Sequence, residues 1–374
     1  MKKLFLPFLL IIIISFTGCS FFKKPPVKET EPDHDHTHGT PATIGEGNLS
    51  IHFLELGNKY TGDSVFIDFG DLEILVDAGS RTDSAAAIIA QIDPLIGDGT
   101  IEFVIATHNH QDHVAAFPKI FEKYQIGTII DYARTGSTSN AGYRTARDAA
   151  KGKGTTVVTA LDCWKDINGG HSIYDLGQDN DGNAVSLEIL YNKFYETNTS
   201  TENNYSTVFL IRQGTHQYFF SGDMEKTGED ALVDYYATRG GIGKCTLYKG
   251  GHHGSSTSSN DKLLAEIQPE YVCICSCADS DEYNTTGTQL RYNCFPTQAT
   301  INRLAPYTDK IYITTLVLDY KNNIFESLNG TIVFALIENE PTINCSNHNL
   351  KLKNQPWFTS LVAAGIRTMP ASWI

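Results

Sequence analysis

Short apolar runs, separated by turns that contain glycine, asparagine and aspartate, follow one another along most of the chain from residue 49 onward. Runs of about four to eight residues that are rich in branched and aromatic side chains are typical of β-strands. Some alternate apolar and polar positions, whereas others are apolar throughout, as strands buried on both faces are. The pattern predicts strands at 51–56, 64–69, 73–77, 101–106, 126–131, 155–159, 186–191, 207–212, 217–221, 246–249 and 271–275, with further strands near the end.

Helical segments lie between these strands. An apolar face that recurs roughly every three or four residues, after a polar or proline start, is typical of an amphipathic helix. Strands dominate the first part of the chain, and strands alternate with helices in the second. This order predicts an α/β protein with two packed sheets and helices on both outer faces. The predicted helices are 83–92, 117–124, 143–151, 228–238, 261–267 and 298–304.

The N-terminus has the pattern of an export signal. Lys2 and Lys3 precede an apolar stretch at 4–16, which is too short to span a membrane comfortably. The stretch ends in Phe-Thr-Gly-Cys, which resembles a bacterial lipobox with Cys19 as the lipidated residue. We expect residues 1–18 to be a lipoprotein signal peptide and the mature chain to be extracytoplasmic and anchored to the cell membrane. Without lipidation of Cys19, the same pattern predicts a secreted protein.

Composition divides the rest of the chain into three parts. Residues 19–47 contain prolines and many charges without periodicity, and so predict a flexible tether. Alternating histidines at 34–38 could gather metal ions, although a solvated acidic linker is the simpler account. We expect residues 48–338 to form one large domain and residues 339–374 to form a C-terminal extension.

The cysteines suggest core packing and one disulfide. Cys273, Cys275 and Cys277 alternate along a predicted strand and therefore share one face, which is typical of core packing. Core packing is the preferred interpretation, and an exported protein also allows one disulfide. We expect that disulfide to join Cys277 to Cys294.

The charge of the chain limits its partners. The hydrophobic content of 41% and the charged content of 19% are those of a globular protein. The formal net charge is −14. An acidic protein repels phosphate backbones, so tight binding of nucleic acid is not expected unless bound metals reverse the local charge.

Residues 107–113 read Thr-His-Asn-His-Gln-Asp-His and directly follow a predicted buried strand. On a tight turn after a strand, this spacing aims His108 and His110 at one point, and Asp112 with His113 at a neighbouring point. Neutral imidazoles and carboxylates are ligands for zinc, manganese or iron. The pattern favours a metal site over a solvated polar loop.

Two further loops supply candidate ligands, and each directly follows a predicted strand. Asp223 ends the first of these strands, where its two oxygens could each bind one metal. His252 and His253 stand in Gly-Gly-His-His-Gly-Ser, whose glycines allow the backbone to approach a ligand closely. Alone, Asp223 would suit a helix N-cap and the histidine pair a surface turn. Together with the first motif, they indicate a dinuclear metal site.

These motifs resemble the metallo-β-lactamase superfamily. More narrowly, they resemble its ComEC-type branch, the hydrolase domain of bacterial competence DNA-internalisation proteins and its stand-alone relatives. The resemblance extends from about residue 51 to residue 335 and includes Gly-Asp-Ser at 62–64, Ile-Leu-Val-Asp-Ala-Gly at 74–79 and Asn-Tyr-Ser-Thr-Val at 204–208. It implies a four-layer αββα sandwich with metals at one edge between the sheets.

The resemblance also implies a ligand set for two divalent ions, Zn²⁺ first and Mn²⁺ as an alternative. His108 and His110 would bind one ion, and Asp112 and His113 the other. Asp223 would bridge the two ions. These five residues come from two loops, so the site depends on loops that are distant in sequence meeting at one edge.

A second group of residues would complete the implied site. Both His252 and His253 are candidate ligands of the second ion, and the resemblance does not decide between them. Asp112 and His253 are the candidates for proton transfer. The residues expected behind the ligands or beside the substrate are Asp77, Asn204 and Ser255.

The chain departs from the family pattern in two places. Many members carry a further histidine before the bridging aspartate, but His171 and His216 in that interval do not stand where a ligand is expected. The resemblance puts Asn204 there, which would make the first site richer in oxygen and more suitable for manganese. The family's Gly-His-Pro is Cys-Phe-Pro at 294–296. We expect an aromatic rim in its place, formed by Tyr283, Tyr292 and Phe295.

These features predict an extracytoplasmic dinuclear hydrolase. Its expected activity is that of a phosphodiesterase, in which metal-bound hydroxide attacks a small or polymeric phosphoester. A nuclease associated with DNA uptake is an alternative with the same chemistry. A non-catalytic metal-binding surface lipoprotein is an alternative of a different class, and the histidine-rich tether and the missing imidazole favour it.

Overall fold

The computed structural model describes residues 48–283 and 293–374, and this part of the chain folds around two eight-stranded sheets. The strands of the first sheet are β1 (Ser50–Phe53), β2 (Val65–Asp68), β3 (Glu73–Val76), β4 (Thr100–Ile105), β5 (Gln125–Asp131), β6 (Thr156–Thr159), β15 (Ile332–Ile337) and β16 (Glu340–Cys345). The strands of the second are β7 (Ile173–Gln178), β8 (Ala184–Ile189), β9 (Phe209–Gln213), β10 (His216–Phe220), β11 (Leu247–Lys249), β12 (Tyr271–Ala278), β13 (Ile311–Asp319) and β14 (Ile324–Ser327).

Both sheets combine antiparallel and parallel strands. The first has the order β16-β15-β1-β2-β3-β4-β5-β6 and is parallel from β3 to β6. The second has the order β14-β13-β12-β11-β10-β9-β8-β7 and is parallel from β10 to β13. Parallel strands require crossover connections, and their carboxyl ends lie at one edge of the sheet. The loops that follow β3, β4, β10 and β11 therefore leave the sheets at such edges.

Helices occupy the crossovers and cover the outer faces. A buried cluster joins α1, α3 and α4 to the first sheet through residues such as Ile88, Ile120 and Val104. A second cluster joins α6, α7, α8 and α9 to the second sheet. The helices are α1 (Ser84–Ile92), α2 (Gln111–Val114), α3 (Phe117–Lys123), α4 (Ala141–Gly152), α5 (Ala160–Trp164), α6 (Lys226–Ala237), α7 (Asp261–Ile267), α8 (Gln298–Leu304) and α9 (Pro356–Ala363).

The main core lies between the two sheets. The rings of Phe209 and Phe220 stack with centroids 4.6 Å apart, and Phe53 stacks on Phe220 at 6.5 Å. Phe334 of β15 joins them in the same buried cluster. Large aromatic side chains contribute much of the burial energy of a core, because each removes about 150–250 Å² from water. Helix, sheet, sheet and helix layers follow one another, so the predicted αββα sandwich is confirmed.

The sequence did not predict β7 or α5. β7 pairs with β8 alone, and of its six residues Leu176 is the one that is buried. An edge strand with one buried side chain has no apolar alternation to detect. α5 has only five residues and begins at a capping box formed by Thr159 and Asp162, a signal that is short and local.

The expected disulfide between Cys277 and Cys294 is wrong. The thiol of Cys277 instead donates to the backbone carbonyl of Asn58 at 3.4 Å, and no disulfide joins it to Cys294. Cys273 and Cys275 are buried in the core between the sheets, as core packing requires. The register of β12 shifts between Ile274 and Cys277, which changes the environment of the third cysteine.

The sheet continues past residue 338, where we expected a C-terminal extension to begin. β16 pairs with β15 along its whole length. Further on, Phe358 of α9 and Trp373 are buried in the outer cluster on the second sheet. The indole of Trp373 also donates to the carbonyl of Thr308 at 3.0 Å. Residues after 338 therefore pack on the same sheets as the rest.

Several predictions concern residues outside the described ranges. These are the signal peptide with Cys19, the tether with its histidines and the rim residue Tyr292. Across residues 48–283 and 293–374, no helix has both the length and the apolar character that a membrane crossing needs.

Candidate metal centre

Four loops from the two sheets meet at one edge of the sandwich. Asp77 follows β3, the loop at 107–113 follows β4, Asp223 follows β10 and the histidine pair at 252–253 follows β11. All four strands have their carboxyl ends at this edge, because β3 is parallel to β4 and β10 to β11. The three loops that the sequence analysis singled out thus come together, although more than 100 residues separate the first motif from the other two.

One carboxylate oxygen is the point on which the imidazoles converge. Asp223 Oδ2 lies 3.1 Å from His113 Nε2 and 3.3 Å from His253 Nε2. The Nε2 atoms of His252 and His108 lie 3.6 and 4.0 Å from the same oxygen. Asp223 and three of these histidines are fully buried, and His252 has a partly exposed side chain. A central carboxylate surrounded by ring nitrogens is the arrangement expected of a bridging ligand.

His110 and Asp112 lie on either side of this core. His108 Nε2 and His110 Nδ1 are 3.0 Å apart, so two ring nitrogens face each other on one side. On the other side, Asp112 Oδ2 lies 3.3 Å from His253 Nε2. The phenol of Tyr283 donates to Asp112 Oδ2 at 3.0 Å.

Asp77 lies directly behind His113. Its Oδ2 is 2.7 Å from His113 Nδ1, and its carboxylate also accepts from the backbone amide and the hydroxyl of Thr107. The carboxylate of Asp77 therefore bonds to Nδ1 of His113, and Nε2 of the same ring faces Asp223. Such carboxylate–histidine pairs orient metal ligands in many proteins. Asp77 has a φ of +56°, which follows from the sharp turn at the end of β3.

The residue that the sequence analysis missed is Asp63. Its Oδ1 lies 3.0 Å from His253 Nδ1, and its Oδ2 contacts the ammonium of Lys249. Burial opposes ionisation, but Lys249 and His253 hold the pKa of Asp63 below its usual range. The sequence signal for Asp63 is Gly-Asp-Ser before β2, and it points to the site only through the family resemblance.

Backbone contacts hold the first motif in place. The amide of Asp63 donates to the carbonyl of Asp112 at 2.9 Å, and the amide of Ala78 donates to that of His113 at 2.6 Å. A Cβ atom added at Gly79 would lie 1.6 Å from the same Asp112 carbonyl oxygen. Glycine is thus required there for steric reasons, because the turn after β3 packs directly on the metal-ligand loop.

The two adjacent histidines differ in their environment. Both have positive φ, +48° for His252 and +52° for His253. His252 Nδ1 bonds to the hydroxyl of Thr257 at 3.0 Å, and Ser255 contacts that same hydroxyl. His253 Nδ1 faces Asp63 and also the carbonyl of Cys275 at 3.1 Å. In both residues Nδ1 has a partner, so Nε2 is the atom turned toward Asp223.

Near the expected position of Asn204, a different residue reaches the centre. Asn204 accepts from the backbone amide of Glu225 at 3.0 Å and so supports the loop after Asp223. Ser206 Oγ accepts from the amide of Asp223 at 3.1 Å and lies 3.5 Å from His108 Nδ1. A serine in Asn-Tyr-Ser-Thr-Val gave no ligand signal, because its contact is to the backbone and the rear of an imidazole.

The other two histidines considered as ligands lie apart from the centre. His171 is exposed and packs edge-on against Tyr174. His216 bonds through Nδ1 to the hydroxyl of Thr246 at 3.0 Å, at the opposite end of β10 from Asp223.

The charges at the centre are strongly coupled. Burial opposes charge on each group, but His113 and His253 outweigh it and hold the pKa of Asp223 well below its usual range. Burial also lowers the pKa of His113 and His253, but the neighbouring carboxylates outweigh it. Asp223 and Asp77 raise the pKa of His113 well above its usual range, and Asp223 and Asp63 do the same for His253. Protons on these imidazoles therefore balance the carboxylates, and a bound cation would displace them.

The residues present fit a divalent cation. Asp63, His113, Asp223 and His253 each offer one atom within 4.8 Å of the others. Asp223 Oδ1 and His253 Nε2 are buried without a hydrogen-bond partner, and such atoms are costly unless a ligand satisfies them. Imidazole nitrogens and carboxylate oxygens are the donors that Zn²⁺ and related ions prefer.

Two described members of the predicted aromatic rim stack over the centre. The ring of Phe295 lies 6.4 Å from that of His253, and Tyr283 stacks on Phe295 at 5.2 Å. Tyr283 is 49% exposed, although its phenol bonds to Asp112. The stack therefore leads from the buried centre to the surface.

Residues 57–277 match the model of the metallo-beta-lactamase superfamily. Because the match covers more than half of the chain, the protein belongs to this superfamily. The predictions of the family, of its fold and of a hydrolase are therefore confirmed.

The similar proteins include competence and recombination proteins. The chain is 30% identical to competence protein ComA of Neisseria gonorrhoeae over 276 residues, which is 74% of this chain and 32% of that protein. It is 24% identical to recombination protein 2 of Haemophilus influenzae over 255 residues, 68% of this chain and 26% of that protein. The chain thus spans about a third or less of the length of these relatives, and they agree with the predicted ComEC-type branch.

Two other proteins are similar over different extents. Exodeoxyribonuclease YycJ of Bacillus anthracis is 27% identical over 78 residues, 21% of this chain and 29% of that protein. Among solved structures, the metallo-beta-lactamase fold protein YhfI from Bacillus subtilis has a TM-score of 0.42 and 10% identity, and the similarity covers 75% of this chain and 99% of YhfI.

Proposed function

We propose that this protein is a phosphodiesterase that works with two divalent metal ions. The observation that carries the proposal is the convergence of four imidazoles on Asp223 Oδ2, in a buried centre with orphaned ligand atoms. When bound, such a pair of ions supplies Lewis-acid catalysis and activates water for attack on an ester.

The proposed ligands divide into two groups around Asp223. His108 and His110 lie on one side and would hold one ion. His113, His253 and Asp112 lie on the other side and would hold the second. Asp223 would bridge. His252 also faces Asp223 and has a partly exposed side chain, so it is placed to contact substrate as well as metal. Zn²⁺ suits the imidazoles best, and Mn²⁺ remains an alternative.

The remaining residues of the site act on the ligands and the substrate. Asp77 and Asp63 fix the orientation of His113 and His253 through their Nδ1 atoms. The phenol of Tyr283 holds one oxygen of Asp112, the residue that we propose for proton transfer together with His253. Full burial of these imidazoles keeps bulk water away from them, which strengthens every charge interaction inside the site.

A nuclease is the second candidate, favoured by the similarity to the exodeoxyribonuclease and to the competence proteins. The chemistry would be the same, since DNA is a phosphodiester. The net charge of −14 opposes tight binding of a DNA backbone. We therefore propose a small phosphodiester, which carries fewer negative charges than a DNA strand, as the main substrate. We further propose an extracytoplasmic location with a lipid anchor at Cys19, in keeping with the signal peptide predicted at residues 1–18.

Metal analysis combined with turnover tests the proposal. We expect the purified protein to bind two equivalents of metal and to hydrolyse bis(p-nitrophenyl) phosphate. Asp223→Ala should abolish turnover and lower the metal content, because it removes the shared ligand. His171→Ala is the matched control, since it removes an exposed histidine away from the centre. Two bound metals without hydrolysis of any ester would contradict the proposal. Hydrolysis of linear single-stranded DNA at a comparable rate would favour the nuclease.

A further inference from the structure

A buried lysine lies behind the candidate metal centre. Lys249 is the last residue of β11, and it is only 3% exposed. Its ammonium contacts Asp63 Oδ2, and Asp63 is 1% exposed. Lysine is almost never fully buried unless it is paired. The position three residues before the histidine pair places this charge at the rear of the metal centre.

The ion pair is connected to one imidazole in particular. The second oxygen of Asp63 lies 3.0 Å from His253 Nδ1, whereas the first lies 3.7 Å from His113 Nδ1, which already faces Asp77 at 2.7 Å. The contacts therefore form a series that runs from Lys249 through Asp63 to His253. At the far end of the ring, Nε2 lies 3.3 Å from Asp223 Oδ2.

A contribution to stability alone does not explain this series of contacts well. A buried ion pair adds little net stability compared with apolar residues of similar volume. Without Lys249, however, Asp63 would lose the cation paired with its Oδ2, in a centre that also holds Asp77, Asp112 and Asp223. The ammonium thus holds one oxygen of Asp63, and the other oxygen stays turned toward His253 Nδ1.

We propose that Lys249 and Asp63 are a positioning pair that presents His253 to the metal. Lys249 holds one oxygen of Asp63 in place, and the other oxygen lies 3.0 Å from His253 Nδ1, beside the Cys275 carbonyl at 3.1 Å. The lone pair of Nε2 then points toward Asp223 and the second ion. This inference extends the proposed function, because it rests on a metal bound by His253, but it does not depend on which ester is hydrolysed.

A double variant separates positioning from stability. Lys249→Met alone leaves a buried unpaired carboxylate and should lower the Tm strongly. Lys249→Met combined with Asp63→Asn removes both charges and should restore most of the Tm. If the pair positions His253, the double variant should still bind one of its two Zn²⁺ ions about 10–100-fold more weakly, as is typical when a residue behind a ligand is lost. Lys119→Met, which breaks the exposed pair with Glu122, is the control.

The measurements are Zn²⁺ affinity by competition with a chromophoric chelator, and the histidine tautomers by ¹⁵N NMR of the zinc-loaded wild type. We expect His253 to carry its proton on Nδ1. Wild-type affinity for both ions in the double variant would overturn the inference, and so would a proton on Nε2 of His253. Because the carbonyl of Cys275 lies 3.1 Å from the same Nδ1 and could hold that proton without Asp63, the Zn²⁺ affinity decides the question. If the double variant does not fold, Asp63→Asn alone should show the same loss of affinity, and wild-type affinity in that variant would overturn the inference. If the wild-type protein binds both ions tightly but hydrolyses no ester, the proposed function is contradicted and the positioning role of Lys249 and Asp63 is not.

Discussion

At the scale of single residues, the candidate centre is built from imidazoles that each have a partner behind them. Asp77 occupies Nδ1 of His113, and Asp63 faces Nδ1 of His253. Each partner leaves Nε2 as the atom that points at Asp223. This arrangement orients both rings before any ion binds and leaves Nδ1 as the nitrogen that keeps its proton once Nε2 binds an ion. The geometry of the centre thus depends as much on residues behind the ligands as on the ligands.

Removal of the Tyr283 hydroxyl tests whether the aromatic rim contributes to the metal centre through its hydrogen bond as well as through stacking. Tyr283→Phe keeps the stacking on Phe295 but removes the hydrogen bond to Asp112 Oδ2. We expect metal affinity or kcat to fall about 10-fold, because Asp112 loses an orienting contact. The Tm should change little, because a surface substitution usually alters stability by about 0.5 kcal/mol or less. Metal titration and thermal unfolding check this. Tyr307→Phe, which removes a phenol near the end of α8, should leave affinity and kcat unchanged.

The sequence predicts ligands better than it predicts the residues that orient them. The motif at 107–113 and the histidine pair have a spacing that points to metal chemistry on its own. Asp63 and Lys249 stand at the start and the end of ordinary strands, where an acidic or basic residue normally faces water. Only tertiary packing brings them together at the rear of His253. Lys249 therefore leaves no local pattern, and Gly-Asp-Ser at 62–64 points to Asp63 only through the family resemblance.

At the scale of elements, predictions succeeded where the apolar period was regular. α7 and α8 have the predicted bounds, because each has three buried positions with helical spacing. β7 was missed because its exposed edge carries no alternation. The conclusion that loops after β4, β10 and β11 share one edge required strand direction as well as strand position. Direction follows from the order of the strands in the sheets, which the sequence does not state.

The turn after β3 is the element whose packing most constrains the centre. Gly79→Ala would bring a Cβ atom to within 1.6 Å of the Asp112 carbonyl oxygen, so the loop at 107–113 must move. Overpacking of this kind costs about 1–3 kcal/mol. We expect a lower Tm together with a lower metal stoichiometry, because Asp112 and His113 move with the loop. Gly97→Ala is the control, since nothing lies within 4 Å of a Cβ atom there. Equal metal content in both variants would show that the contact does not constrain the site.

At the scale of the whole molecule, the candidate centre joins the two halves of the fold. The first sheet supplies the 107–113 motif and Asp77, and the second supplies Asp223 and the histidine pair. Anything that binds the centre therefore holds the two sheets together at this edge. Ligands that bind only the folded state stabilise it by mass action, so metal binding and global stability must be coupled.

A rise in pH should lower the stability of the metal-free protein but not that of the metal-loaded protein. In the metal-free protein, Asp223 with Asp77 or Asp63 overcomes the effect of burial and raises the pKa of His113 and His253 well above 6.5. A group with a raised pKa in the folded state contributes stability that is complete below the unfolded value and is lost as pH rises through the folded value. The chelator-treated protein should therefore have a Tm that falls as pH rises above about 6.5.

The metal-loaded protein should not show this fall, because its ligating imidazoles have already lost their protons to bind the cation. A constant concentration of free Zn²⁺, set at about 100 times the Kd at pH 6.5, should add about 2.7 kcal/mol to the free energy of unfolding. At that same concentration the gain over the metal-free protein should grow as pH rises above 6.5. Thermal unfolding from pH 6 to pH 9, with zinc and with chelator, tests both trends. Asp223→Ala should weaken both, since it removes the carboxylate that the two imidazoles share. Parallel pH profiles with and without zinc would mean that these histidines do not bind the ion.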